Sequence, residues 1–206
     1  MKKYYFLTAG ILLFILSVIG FSDNLFTDVH QKSNSDPKFI IHGLFCFAWF
    51  IILIIQTNFI RKGDYKAHMK LGIAGIVVAI GVFVTTVYIF VVIYKGWDAM
   101  FFYAKANRFF MPTYALFVWL GYRNRKHAAA HKRYMYVGTL FMLGPILDRA
   151  AGPIIPIPVE LFTPVVWNLF FISLFIYDWI SLKRIHPITY LSFIWFYIVW
   201  VIAIFT

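Results

Sequence analysis

Charge is what this sequence has least of. Only 13% of its 206 residues are charged and eight are acidic, where a soluble domain carries about a quarter charged residues. That scarcity excludes an ordinary water-soluble fold. Cysteine occurs once, as Cys46, which excludes an internal disulfide and leaves a small apolar side chain inside an apolar run. There is no Cys-x-x-Cys, glycine-rich phosphate loop, nucleophile elbow or glutamate flanking a histidine pair, so the usual signatures of soluble catalysis are missing. No inverted repeat of the transporter kind is visible. The last apolar run, ITYLSFIWFYIVWVIAIF, holds no lysine, which excludes a retinal Schiff base there.

What the chain does have is oil. It is 62% hydrophobic and 21% aromatic, and its apolar runs approach the roughly 20 helical residues that cross a bilayer. Seven such runs are predicted, at residues 5–21, 39–60, 71–94, 101–122, 134–149, 161–182 and 188–205. The fifth is long enough only if it continues through Arg149. They leave no room for a soluble domain, so residues 1–206 read as a single all-α, polytopic membrane domain. The opening MKKYYFLTAGILLFILSVIG has the basic start and apolar centre of a signal peptide. It lacks a small-x-small cleavage pattern, and is expected to stay as the first helix.

Basic residues set the orientation. Thirteen of the 19 lysines and arginines fall at the N-terminus and in the even-numbered connections, accompanied by Asp64 and Asp178 alone. The other side carries six basic and six acidic residues. The whole net charge of +11 therefore lies on one face, predicted to be cytoplasmic, with the N-terminus inside and the C-terminus outside. The charge is a topology signal, and nucleic-acid binding is rejected as its explanation.

Polar groups at membrane depth are costly, so their positions carry information. In the second run His42, Trp49 and Gln56 recur every seven residues, on one helical face. The third opens with His68 and continues Gly72, Gly75, Ala79, a groove of small residues that admits another helix closely. In the fifth, His131, Met135, Gly138, Met142, Pro145 and Arg149 form one stripe, about 27 Å of rise if the helix is continuous. A kink is expected at Gly144-Pro145, and His127 lies before the helix. On the predicted outer side His42, Gln56, Arg108, Asp148 and Arg149 could line a polar pocket, against the plainer reading of interfacial salt bridges. The proline-rich AAGPIIPIPVE between the fifth and sixth runs reads as extended.

The stretch IHGLFCFAWFIILIIQTNFIRKGDYKAHMKLG followed by HKRYMYVGTLFMLGPILDR resembles a group of bacterial multi-pass membrane proteins of unassigned activity. The matching positions are His42, Gln56, Arg61, His68, Gly72, His131, Lys132, Met135 and Arg149, within residues 39–150. The resemblance implies a bacterial inner-membrane location without implying a reaction. A more distant likeness is to cytochrome b561-like bundles, where two imidazoles ligate one iron. It points to His68 and His131 as ligands of a haem b for electron transfer, with a quinone or another membrane subunit as redox partner. A second possibility is a divalent metal on His68, His131 and Asp178, serving a membrane enzyme. A third is a small transporter, a lipid- or quinone-binding module, or an accessory subunit without catalysis.

Overall fold

The computed structural model describes residues 3–151 and 155–206; the basic Lys2 and the centre of AAGPIIPIPVE lie outside the described residues. Among the described residues every named element is a helix. The α-helices are α1 Tyr5–Gly20, α2 Pro37–Lys62, α3 Tyr65–Val92, α4 Phe102–Arg123, α5 Ala128–Leu140, α6 Gly144–Ala150, α7 Val159–Leu182 and α8 Pro187–Phe205. By length and composition α2, α3, α7 and α8 can each cross a membrane, and α1 is a shorter apolar helix of 16 residues. The membrane assignment therefore stands at the level of a polytopic helical protein. The helices fall into two compact units, residues 1–89 with 146–162, and residues 90–145 with 163–206.

In the first unit α1 packs on α2, and α2 turns back into α3 through two residues. Gly63 adopts φ +81°, the left-handed conformation that ends helices, while the Asp64 N–H donates to the Phe59 carbonyl at 2.9 Å. The Asp64 carboxylate then accepts from the Ala67 N–H at 2.9 Å, capping α3. Small residues on α3 receive α2 along an antiparallel seam. His42 meets Thr85, Phe45 lies on Gly81, Ile52 on Gly75 and Gln56 beside Gly72. The predicted groove is thus filled by α2, and Trp49 of the same α2 face is 1% exposed.

The second unit is built on α4, which packs on α5 and α8. Gly138 and Gly121 permit the close approach: a Cβ on Gly121 would sit 2.7 Å from Met135 Sδ, and one on Gly138 would sit 3.2 Å from Phe117 Cβ. Behind them Phe110, Phe141, Trp167, Phe171, Phe196 and Trp200 form one aromatic core, with Phe110 stacked on Phe196 at 5.5 Å.

The predicted fifth helix departs from expectation at its start and in the middle, while its end agrees. It begins at Ala128, stops at Leu140 and resumes at Gly144 as α6. Through the break Met142 and Leu143 donate to carbonyls three residues back, at 3.2 Å each, a tighter 3-10 pattern. Pro145 is the cause, since it has no N–H to give the Phe141 carbonyl and its ring would crowd that carbonyl. In the first turn of α6 the same residue is harmless, because that turn's N–H groups have no intrahelical acceptor. The stripe from His131 to Arg149 is therefore carried by two helices.

Candidate functional site

The most polar part of the second unit lies where α4 and α7 end and α5 and α8 begin. Arg133 shares a face of α5 with Tyr136, Val137 and Leu140, all buried, and is itself 0% exposed. It reaches Asp178 on α7, also 0% exposed. Its Nε donates to Asp178 Oδ1 at 2.8 Å, Nη2 donates to the same oxygen, and Nη1 donates to the Ala129 carbonyl at 2.6 Å. The other carboxylate oxygen accepts from Thr189 Oγ1 at 2.7 Å and from the His186 N–H at 3.0 Å. A buried ion pair is tolerable only when its remaining hydrogen-bonding capacity is met. Here every polar side-chain atom of the pair has a partner, and the network ties α5, α7 and α8 together.

Around this pair the chain is cationic. Lys132 donates to the Tyr177 hydroxyl at 2.7 Å, and the Arg133 guanidinium lies 5.7 Å from the same ring. His186 caps α8, its Nδ1 accepting from the Ile188 N–H at 3.2 Å. Burial holds its pKa below the ordinary histidine value, and Arg133, Arg184 and Lys132 push the same way while Asp178 opposes them.

His131 has a defined tautomer. Its Nδ1 lies 2.8 Å from the Gly121 carbonyl, which can only accept, so Nδ1 carries a proton, and in the neutral ring the lone pair is the one on Nε2. A carbonyl bonded to one ring nitrogen is the device that orients the other toward a metal. Asp178 suits a metal less well, because both oxygens are taken by four donors. Among the described residues no three histidine, cysteine or acidic side chains gather as a metal group. His68, whose Nδ1 is buried, belongs to the first unit, whereas His131 and Asp178 belong to the second.

Among the residues expected in an outer pocket, Arg149, His42 and Arg108 each have their own partners. Arg149 donates to Asp23 at 2.7 Å and, through Nε, to the Gly20 carbonyl at 3.1 Å, with the Phe21 ring 4.8 Å away. Asp23 loses some hydration there, which by itself raises its pKa. Its hydrogen bond and attraction to Arg149 outweigh that and hold the carboxyl below its ordinary value. His42 bonds Thr85 Oγ1 at 3.0 Å, and Cys46 Sγ lies 3.5 Å from its Nε2. Thr85 donates its own proton to the Gly81 carbonyl at 2.7 Å, so it accepts from His42. Gln56 is half-buried against Gly72, its Oε1 without a hydrogen-bond partner among the described residues. Asp148 is half-buried on α6. Arg108 is in the second unit, its guanidinium 4.4 Å from the Phe90 ring and 5.6 Å from Tyr94. Among the described residues His42 and Arg149 share no hydrogen-bond partner, and Arg149 is in a salt bridge with Asp23.

Arg133, Thr189 and His186 were not singled out by sequence. One signal was available: Asp178 is the only acid in the run 161–182, and a lone buried carboxylate requires a cation. Compared with known proteins, the chain matches no family model, no curated protein and no solved structure.

Proposed function

We propose that the chain is a seven-span protein of a bacterial inner membrane, N-terminus inside, that holds a haem b for electron transfer. In this reading α5 and α6 together make the fifth span, and His131 and His68 would hold the haem. The single observation that carries it is the bond from His131 Nδ1 to the Gly121 carbonyl, which presets Nε2 as the ligating nitrogen. When bound, the haem would supply one-electron exchange, and the protein the orientation of its histidine. A quinone or another membrane subunit is the redox partner. Detergent-purified protein should show a Soret band and stoichiometric iron. His131→Ala and His68→Ala should each abolish both, while His127→Ala, outside α5 and exposed, should leave them intact. Loss on His127→Ala alone would overturn the assignment.

One observation favours a second reading, a lipid- or quinone-binding or accessory membrane subunit without catalysis. The Arg133–Asp178 network is internally satisfied, so it leaves no acid or base poised for chemistry. A featureless visible spectrum with no bound iron, zinc or copper would select this reading over the first.

A further inference from the structure

We infer that the end of the second unit formed by the close of α4, the start of α5 and the α7–α8 turn is a docking surface for anionic phospholipid. Arg123, Arg125, Lys126, Lys183 and Arg184 are its phosphate-contacting groups. All five are exposed. The second unit holds only two acids, Asp98 and Asp178. Asp178 is 0% exposed and spent on Arg133, and Asp98 precedes the opposite end of α4. Among the described residues none of the five cations is in an ion pair. Within the second unit their positive field therefore has no counter-charge at this end, and an anion from outside the unit is needed to balance it.

The aromatic residues beneath say what balances it. Arg123 lies 5.0 Å over the Trp119 ring and Arg125 lies 4.5 Å over Tyr122. Both rings are about half exposed, at 50% and 47%, and Trp179, one turn before Lys183, is 60% exposed. Indole and phenol rings settle at the boundary between acyl chains and headgroups. A guanidinium stacked on such a ring is held at the height of the lipid phosphates. Lys183, at φ +58°, directly follows the last residue of α7, and Arg184 comes next in the same exposed turn. A soluble anion would use the charges and ignore the rings; a phospholipid uses both. The inference does not depend on whether His131 binds a haem.

The test uses the full-length protein in phosphatidylcholine vesicles containing either brominated phosphatidylglycerol or brominated phosphatidylcholine at equal mole fraction. Tryptophan emission should be quenched more by the anionic lipid. That excess should shrink in high salt, as screening requires, and should survive excess inorganic phosphate at matched ionic strength. In the triple variant Arg125→Gln, Lys183→Gln, Arg184→Gln it should fall at least about twofold. Equal quenching by the two lipids in the wild type would overturn the proposal, as would an undiminished excess in the folded variant. Abolition of the excess by free phosphate would identify a soluble-anion site instead. Should the variant not fold, the wild-type comparison and its salt dependence still decide.

Discussion

Arg133 and Asp178 are charges with no access to solvent, and each is tolerated because of the other. Removing one partner strands the second, which costs about 3–5 kcal/mol for buried pairs, whereas replacing both with apolar side chains of similar size is often neutral. Arg133→Ala and Asp178→Ala should therefore each lower the melting temperature in detergent strongly. Arg133→Met with Asp178→Leu should lower it less than either single change; additive losses would refute this account. Asp178 stood out in the sequence as a lone acid in an apolar run. Arg133 did not, because RKHAAAHKRYM contains several cations that look alike. Only the rotation of α5 turns Arg133 into the protein, while Arg125 and Lys126, in the turn before α5 begins, stay exposed. The same rotation gives His131 its carbonyl partner, which no spacing rule could supply.

Among the elements, glycines mark where helices nearly touch, but not all matter equally. A Cβ on Gly20, the last residue of α1, would come 2.5 Å from the Ile146 carbonyl oxygen. That is backbone and cannot swing aside, and the Gly20 carbonyl is also an acceptor for Arg149. On Gly72 a Cβ would meet only Gln56 Nε2 at 3.6 Å, ordinary van der Waals contact. Alanine is favoured over glycine inside a helix by about 1 kcal/mol. Gly20→Ala should therefore destabilise the protein, and Gly72→Ala should be neutral or stabilising, as read by thermal unfolding in detergent. The opposite order would show that the α1–α6 approach is not needed. The small-residue steps on α3 were legible in advance because helical period alone defines a face. The stop at Leu140 was less so. Gly144-Pro145 announced a disturbance, yet where the helix would stop depended on which carbonyls the 3-10 turn could still satisfy.

At the scale of the molecule the informative surface is the one that water would reject. Along α3, Ile73, Val77, Ile80, Val84, Tyr88 and Val91 are all exposed, Ile73 at 73%, while Gly75, Ala79, Val82, Thr86 and Ile89 turn inward. An apolar stripe of that length is untenable in water and ordinary in hydrocarbon, where helices are apolar all round. Four helices meet the length and composition of a span. The proposed seven-span, N-inside arrangement makes a direct prediction. Alkaline phosphatase fused after Thr206 should be active and a fluorescent protein there dark, with the reverse for fusions in the α7–α8 turn. Activity at both positions would refute the orientation.

Composition and period determined, without any tertiary information, that this is a helical membrane protein, where most helices run, and which face of α3 is small. These follow from local backbone hydrogen bonding and from the cost of leaving apolar side chains in water, both of which act residue by residue. Tertiary structure alone decided that Arg133 goes to Asp178, that Arg149 goes to Asp23 and that His131 is held by Gly121. Those choices depend on which helix ends lie side by side, and residues 45 or 126 positions apart leave no trace of that in the intervening chain.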